Sequence, residues 1–340
     1  MDNQTLEATA QALVAPGKGI LAADESGPTI KKRFDKISVE STEDNRRAYR
    51  DLLFSADGIG EYISGVILFD ETIRQSSLDG APFPAVLERQ GVIPGIKVDT
   101  GAKPLALAED GETVTEGLDG LRDRLAEYHG LGARFAKWRA TYTITDTLPS
   151  RYAIDVNAQA LARYAALCQE AGIVPIVEPE VYMDGDHTIA RSKVVTRAVQ
   201  EALYRELEDQ CVHLPGTLLK PNMVLSGYAA SPQASVDEVA DETVDCFRWT
   251  VPAAVPGIVF LSGGQSDEDA TAHLNAINQR GPFPWQFSFS YGRALQAAAQ
   301  HAWRGDAANR TKAQQAFLQR ARLNSLARRG EYTPSMEQAA

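Results

Sequence analysis

Charged side chains interrupt several short apolar segments of the sequence at intervals of two residues. The pairs are Lys97 and Asp99, Lys137 and Arg139, and Glu178 and Glu180. Side chains two apart share one face of a β-strand, so the members of each pair point together. Asp24 and Lys220 end two further apolar runs. A single pair of this kind could simply lie at a solvent-exposed strand end. Several pairs together predict a site for proton transfer and amine chemistry.

Lys220 lies in the segment Gly-Thr-Leu-Leu-Lys-Pro-Asn, residues 216–222. Pro221 lacks an N–H group for strand pairing and favours extended geometry at the residue before it, so Lys220 is expected at the end of a buried strand. One alternative is that its amine simply extends to solvent. The other is nucleophilic chemistry, because burial and a cation such as Lys137 both disfavour the ammonium form. A neutral amine attacks a ketone to give a Schiff base.

Two glycine-containing loops are candidates for anion binding. Leu-Ser-Gly-Gly covers residues 261–264 and Ser-Tyr-Gly-Arg covers residues 290–293. Glycine lets backbone N–H groups approach an anion closely, although the same motif also forms ordinary tight turns. Further cations for such a site are Arg33, Lys97, Arg139 and Arg293. These cations would make the local charge positive where an anionic substrate binds, although the net charge of the chain is −11.

Short β-like runs alternate with amphipathic helical stretches from about residue 18. Strands are predicted over 19–24, 62–70, 93–99, 135–142, 173–180, 216–220, 257–262 and 285–291. Helices are predicted over 28–37, 41–56 with Ser41 as N-cap, 84–89, 118–129, 157–171, 186–210, 236–250, 267–279 and 293–329. Eight strand–helix pairs are typical of a parallel sheet closed into an α/β (β/α)8 TIM barrel, whose active site lies at the carboxyl ends of the strands.

The predicted organisation is a single domain over residues 1–340. The barrel occupies about 18–300, a helical C-terminal region and short loose tail occupy about 301–340, and residues 109–116 form a loop. The loose part is residues 331–340, which lack periodicity. A doubly wound open sheet is the alternative. Its best support, Gly17-x-Gly19-x-x-Ala22, precedes the first strand, whereas a dinucleotide-binding motif follows it.

Composition excludes several classes of protein. The pI near 5.1 and the absence of Lys/Arg blocks argue against a nucleic-acid partner. The first residues show no signal-peptide pattern, and no apolar run is long enough to cross a membrane. Cys168, Cys211 and Cys246 are too few and too far apart to predict a disulfide framework. We therefore expect a reduced, cytoplasmic protein.

Seven segments in order closely resemble the class I fructose-bisphosphate aldolases. They are residues 17–26 (Gly-Lys-Gly-Ile-Leu-Ala-Ala-Asp-Glu-Ser), 95–99, 136–139, 176–180, 216–222, 261–264 and 290–296. The resemblance runs from about residue 17 to residue 334. It implies reversible, metal-independent cleavage of fructose 1,6-bisphosphate into dihydroxyacetone phosphate and glyceraldehyde 3-phosphate, in glycolysis and gluconeogenesis. It also implies a homotetramer and no cofactor.

The resemblance assigns a role to each matching residue. Lys220 is implied as the Schiff-base lysine, Glu178 as the acid/base for its formation, and Asp24 as the carboxylate that takes the C4 hydroxyl proton. Lys137 is implied as the cation beside the Schiff base and Glu180 as a supporting carboxylate. The implied C1-phosphate pocket consists of Ser262, Gly263, Gly264, Ser290, Gly292 and Arg293. Groups near the C6 phosphate are Arg33, Lys97 and Arg139, with Ser26 and Thr29 close by.

Three departures from the family pattern stand out. Vertebrate members end in a tyrosine, whereas this sequence ends in Glu-Gln-Ala-Ala and its last tyrosine is Tyr332. Gly27-Pro28-Thr29 replaces the usual Thr-Gly-Ser, so Thr29 keeps a hydroxyl while Pro28 changes the loop. Thr100 replaces a common lysine.

Other functions stay open at this point. One is a Schiff-base lyase that prefers another ketose phosphate, such as sedoheptulose 1,7-bisphosphate. Another is a metal-dependent aldolase, which is disfavoured because the five histidines form no HxH or HxxxH pattern. The last is a non-catalytic sugar-phosphate sensor or scaffold, which would bind the ligand without turnover.

Overall fold

A computed structural model of the chain describes residues 3–338. Eight parallel strands form a closed barrel and neighbour one another in chain order. They are β1 (Gly19–Ala23), β2 (Ile63–Leu68), β3 (Ile93–Lys97), β4 (Phe135–Tyr142), β5 (Val174–Val181), β6 (Leu218–Leu219), β7 (Gly257–Phe260) and β8 (Gln286–Tyr291). Pairing of Ile20 with Ser290 joins β1 to β8 and closes the cylinder. The predicted (β/α)8 barrel is therefore confirmed.

Thirteen α-helices accompany the strands in the described part of the chain. They are α1 (Asn3–Leu13), α2 (Gly27–Asp35), α3 (Glu43–Phe54), α4 (Ile59–Tyr62), α5 (Asp70–Ile73), α6 (Phe83–Glu88), α7 (Leu121–Gly130), α8 (Arg151–Glu170), α9 (Ile189–Asp209), α10 (Val236–Thr250), α11 (Asp267–Asn278), α12 (Arg293–Trp303) and α13 (Arg310–Arg328). Hydroxyl N-caps begin several of them: Ser150, Thr188, Ser235 and Ser266 each accept a backbone N–H of the first turn.

Alternation along the strands divides the side chains into two sets. On β4, Ala136 and Trp138 belong to the large core between the barrel and its helices, whereas Phe135 lies in the core inside the barrel. Gly95 makes room for the Phe135 ring, since a Cβ there would lie 2.3 Å from it. The next inward position on β4 is Lys137, which lines a cavity. The barrel interior is thus apolar at the amino ends of the strands and charged at the carboxyl ends.

Helix α1 closes the apolar end of the barrel. Leu6, Ala10 and Leu13 are fully buried in the same interior core as Ile20 and Phe135. No helix before residue 18 is predicted from the sequence. Burial of one apolar face accounts for the helix, because a short helix gains most of its stability from such packing.

Several predicted boundaries require correction. Strand β6 covers only Leu218–Leu219, because the residues before it form a 3₁₀ turn, Leu214–Gly216. The backbone N–H of Lys220 still donates to Val177 O of the neighbouring strand at 2.8 Å. Thr42, not Ser41, caps α3 by accepting from Asn45 N. Helix α8 begins at Arg151 rather than at residue 157.

Residues 109–116 are not simply a loop. Thr113–Glu116 pairs in antiparallel fashion with Gly101–Pro104 to form a two-stranded sheet. Thr115 Oγ1 donates to Arg139 O at 2.7 Å, which attaches this hairpin to β4. The alternating Thr-Val-Thr-Glu pattern is typical of a strand, but its partner lies nine residues or more upstream and the pairing is not evident from the segment itself.

The segment predicted as a loose tail is anchored at Tyr332 and Glu337, although most of its other described residues are exposed. Tyr332 is only 5% exposed, and residues Pro334–Glu337 form a 3₁₀ turn. Glu337 accepts hydrogen bonds from the buried guanidinium of Arg320 at 2.6 and 2.7 Å and from Tyr332 Oη at 2.9 Å. A charge-assisted contact between α13 and the tail therefore holds it.

Candidate active site

A cavity of about 790 Å³ opens at the carboxyl ends of the barrel strands. All sixteen residues named from the sequence line it: Asp24, Ser26, Thr29, Arg33, Lys97, Lys137, Arg139, Glu178, Glu180, Lys220, Ser262, Gly263, Gly264, Ser290, Gly292 and Arg293. The charged pairs two residues apart do point together, as expected from the strand period. The structure therefore brings every candidate residue to one site.

Two lysines and two carboxylates form an ion-pair cluster at the base of this cavity. Lys137 Nζ lies 2.8 Å from Asp24 Oδ2 and 3.1 Å from Glu178 Oε2. Lys220 Nζ lies 3.2 Å from Glu178 Oε1. Lys137, Glu178 and Lys220 are at most 4% exposed, so little water screens these charges. Glu178 thus lies between the two amines, within reach of a proton from either.

Opposing effects set the protonation of this cluster. Burial alone would raise the pKa of Asp24 and of Glu178, but the ammonium groups of Lys137 and Lys220 outweigh it and hold the pKa of both carboxyls below their usual values. Burial alone would lower the pKa of Lys137, but Asp24 and Glu178 raise it instead. At neutral pH the cluster contains two carboxylates and a cationic Lys137.

The surroundings of Lys220 differ in one respect from the expectation. Its strand neighbours Leu218 and Leu219 are fully buried, as predicted. However, the nearest charged partner of its amine is the carboxylate of Glu178. A proton acceptor in direct contact can remove the ammonium proton when the amine reacts, so the site does not depend on apolar burial alone.

Glu180 pairs with Arg139 on the adjacent strand. Arg139 Nε donates to Glu180 Oε2. Burial alone would lower the pKa of Arg139, but the Glu180 carboxylate outweighs it and raises that pKa. Glu180 is thus an ion-pair partner of a cavity cation.

The two glycine-containing loops meet at one side of the cavity. Gly264 has φ +82°, a left-handed conformation that favours glycine. Ser290 is 1% exposed and its Oγ has no hydrogen-bond partner in the described chain. Arg293, the first residue of α12, donates from its guanidinium to Gln265 O. Small residues, an unused hydroxyl and a cation together can bind a phosphate group.

Three more cations line the cavity, each paired with a carboxylate. Besides Arg139, they are Arg33, which donates to Glu25 Oε1, and Lys97, whose Nζ lies 2.5 Å from Asp99 Oδ1. The hydroxyls of Ser26 and Thr29 are 3.1 Å apart at the start of α2. Pro28 occupies the first turn of that helix, where no intrahelical N–H bond is lost.

The hydrogen-bond network behind these cations is not evident from the sequence. Glu25 also accepts hydrogen bonds from Arg50 and, at 2.8 Å, from Gln296 Nε2, which in turn donates to Ala22 O at 2.8 Å. Arg50 and Gln296 are 3% and 0% exposed, so this network is internal. Glu25 and Gln296 lie within the segments that resemble the aldolases, which was the only signal for them.

Residues 3–338 contain neither a metal-binding cluster nor a membrane-spanning helix. No group of three or more histidine, cysteine, aspartate and glutamate side chains is arranged to hold a metal ion there. Nor is any helix in that range sufficiently long and apolar to cross a membrane.

A closed parallel barrel with ion-paired lysines and carboxylates at the carboxyl ends of its strands defines a barrel enzyme. The family model described as fructose-bisphosphate aldolase class-I matches residues 5–340. A probable class 1 fructose-bisphosphate aldolase of Xanthomonas campestris is 58% identical over 98% of this chain and 99% of its own. Fructose-bisphosphate aldolase B of Gallus gallus is 53% identical over 98% of this chain and 92% of its own.

A solved structure shows the same likeness. The aldolase of Plasmodium falciparum, crystallised with TRAP and a small-molecule inhibitor, superposes with a TM-score of 0.96 at 50% identity, over 97% of this chain and 95% of that one. The chain belongs to the class I fructose-bisphosphate aldolase family. It is therefore a lyase that cleaves fructose 1,6-bisphosphate through a lysine Schiff base, and its partners are phosphorylated sugars.

Proposed function

We propose that Lys220 is the lysine that forms the Schiff base, with Glu178, Asp24 and Lys137 as its catalytic partners. The observation that carries this proposal is the 3.2 Å contact between Lys220 Nζ and Glu178 Oε1 inside the cavity. Transfer of a proton from the ammonium of Lys220 to Glu178 gives a neutral amine and a protonated acid in one step. Since both charges disappear together, the exchange suits a buried site.

The first half of the reaction joins the amine to the substrate. The Lys220 nitrogen attacks the C2 carbonyl carbon as the C=O π electron pair moves to oxygen, and a proton passes from that nitrogen to the oxygen to give a neutral carbinolamine. Protonated Glu178 then gives its proton to this hydroxyl, which leaves as water, and the nitrogen lone pair forms the iminium. Lys137, 3.1 Å from Glu178 Oε2, holds the regenerated carboxylate in place.

The second half breaks the C3–C4 bond. Asp24, whose pKa is held low by Lys137 and Lys220 against the effect of burial, is ionised at neutral pH and accepts the C4 hydroxyl proton. The C3–C4 electron pair moves to the iminium, which gives an enamine on Lys220 and releases glyceraldehyde 3-phosphate. Protonation of C3 and hydrolysis of the iminium then release dihydroxyacetone phosphate.

We propose further that the two phosphates of the substrate bind to two separate sets of cavity residues. Ser262, Gly263, Gly264, Ser290, Gly292 and Arg293 would hold the C1 phosphate. Arg33, Lys97 and Arg139, with Ser26 and Thr29 nearby, would hold the C6 phosphate, while Glu180 orients Arg139. The unpaired Ser290 Oγ and the glycine backbone at Gly264 support the first assignment.

Chemical trapping tests the assignment of the nucleophile. Borohydride reduction in the presence of dihydroxyacetone phosphate should leave one adduct, on the peptide that contains Lys220, in mass spectra of the digested protein. Lys220→Met should abolish both adduct and cleavage, whereas Lys193→Met, a lysine of the outer helices, should retain both. Full cleavage activity in Lys220→Met, or an adduct on another lysine, would refute the proposal.

The finer statements about assembly, location and substrate are also proposals. We expect a single domain that assembles into a homotetramer and acts in the cytoplasm, as the family resemblance suggests. Sedimentation equilibrium gives the subunit number directly. Comparison of kcat/KM for fructose 1,6-bisphosphate and sedoheptulose 1,7-bisphosphate establishes which ketose phosphate is preferred.

A further inference from the structure

Arg293 is held differently from the three cations proposed for the C6 phosphate. Arg33, Lys97 and Arg139 each form an ion pair with a carboxylate. The guanidinium of Arg293 donates instead to the backbone carbonyl of Gln265, and forms no ion pair within residues 3–338. Its orientation therefore depends on where that carbonyl points.

Gln265 ends the loop after β7 and is almost completely buried. Its backbone N–H donates to Ser262 O at 3.2 Å, which closes a turn around the two glycines of the loop. Its side-chain Oε1 lies 2.7 Å from His273 Nδ1, while Nε2 has no hydrogen-bond partner in the described chain. The bond to His273 is thus the one hydrogen bond that fixes the side chain of Gln265.

His273 lies on α11, two turns after the loop, and is 8% exposed. An amide oxygen only accepts hydrogen bonds, so Nδ1 of the imidazole donates to Gln265 Oε1. Burial lowers the pKa of His273, although Asp269 partly opposes this, and the ring is neutral at neutral pH. An apolar side chain at position 273 would leave both polar groups of the Gln265 amide buried and unpaired, so the loop would rearrange.

We infer that His273 is a positioning residue for phosphate binding: through the side chain of Gln265 it fixes the backbone carbonyl that orients Arg293. The chain of contacts runs from α11 through the loop after β7 to the first residue of α12. It joins the two loops that form the proposed C1-phosphate pocket. The inference rests on the proposed phosphate role of Arg293 and adds to it a residue that does not itself touch the substrate.

Steady-state kinetics of His273→Leu test the inference. Loss of one buried hydrogen bond that acts through Arg293 should raise KM for fructose 1,6-bisphosphate and Ki for inorganic phosphate together, by about three- to tenfold. The value of kcat should change less than twofold, and borohydride trapping of unphosphorylated dihydroxyacetone should match that of the wild type. His273→Asn, which retains a donor, should recover part of the loss. His301→Leu, an exposed histidine on α12, is the matched control and should leave all four values unchanged.

A double-mutant cycle separates positioning from a general loss of structure. If His273 acts through Arg293, then His273→Leu should have almost no further effect on Ki for inorganic phosphate in an Arg293→Met background. Full additivity of the two effects would overturn the inference, as would an unchanged KM and Ki in His273→Leu. An unchanged Ki in Arg293→Met alone would instead refute the proposed phosphate role of Arg293, so the two failures are distinguishable.

Discussion

Replacing Lys137 by methionine removes the cation at the centre of the buried cluster while keeping a similar side-chain length. Asp24 and Glu178, 2.8 and 3.1 Å away, would each lose that partner in a site where Lys137 is 3% exposed. Removing one member of a buried ion pair destabilises a protein by about 3–5 kcal/mol. With an entropy of unfolding of about 2.1 cal/mol/K per residue, the 340 residues give about 0.7 kcal/mol/K, so Tm should fall by roughly 4–7 °C.

The decrease in Tm caused by Lys137→Met should be larger at neutral pH than at acidic pH. In the wild type the pKa values of Asp24 and Glu178 are lowered, so their stabilising contribution is complete above the ordinary values of 3.8 and 4.5 and is lost as pH falls below them. Without Lys137, burial acts with less opposition and both pKa values rise, so the two groups become neutral in the folded state at a higher pH. The difference in Tm between wild type and variant should therefore be widest at about pH 7 and narrow towards about pH 5.

Scanning calorimetry of both proteins across this pH range makes the measurement. Lys193→Met is the matched control, because Lys193 also pairs with two carboxylates, Glu242 and Asp245, but on the outer helices. Such pairs contribute up to about 1 kcal/mol, which corresponds to a Tm change below about 2 °C. Equal changes in the two variants, or a difference for Lys137→Met that widens in acid, would refute the electrostatic account.

Two further predictions concern the phosphate loop and the thiols. Gly264→Ala should sharply weaken the binding of inorganic phosphate, because φ at that position is +82° and the new Cβ would lie 1.3 Å from Tyr228 Oη. Adding Tyr228→Ala removes this overlap and should recover part of the binding. If binding does not recover, the overlap is not the cause of the loss. In a thiol titration of the native protein, exposed Cys211 should react at once, whereas Cys168 and Cys246 should react only after unfolding. Burial raises the pKa of Cys246 to about 12, so rapid reaction of more than one thiol in the native state would contradict the structure.

The barrel and the grouping of the candidate residues around one cavity could be predicted because both follow from short-range patterns. Lys137 and Arg139 share a strand face by spacing alone, and so do Glu178 and Glu180. Closure of eight strand–helix units then brings these faces to one rim. The same argument could not supply the ion-pair partners, since Arg139 lies opposite Glu178 in the register of β4 and β5 but pairs with Glu180.

The parts that sequence reasoning missed depend on contacts between distant segments. Gln296 reaches Glu25 across 271 positions of the chain, and nothing near either residue indicates that contact. Likewise, residues 331–338 have no periodic pattern, yet the guanidinium of Arg320 anchors Glu337. Composition and local pattern do not report such long-range polar contacts.

The arrangement of charge distinguishes the two proposed phosphate sites in a way that residue types do not. The cations at the C6 side are each matched by a carboxylate: Glu25 for Arg33, Asp99 for Lys97 and Glu180 for Arg139. An incoming phosphate there must share its cations with anions already in place. Arg293 is bonded to a neutral carbonyl and is paired with no carboxylate within residues 3–338, although Glu180 Oε1 lies close to Gly263 of the glycine loop. Arg293 should therefore attract a phosphate more strongly than a cation that is already paired with a carboxylate.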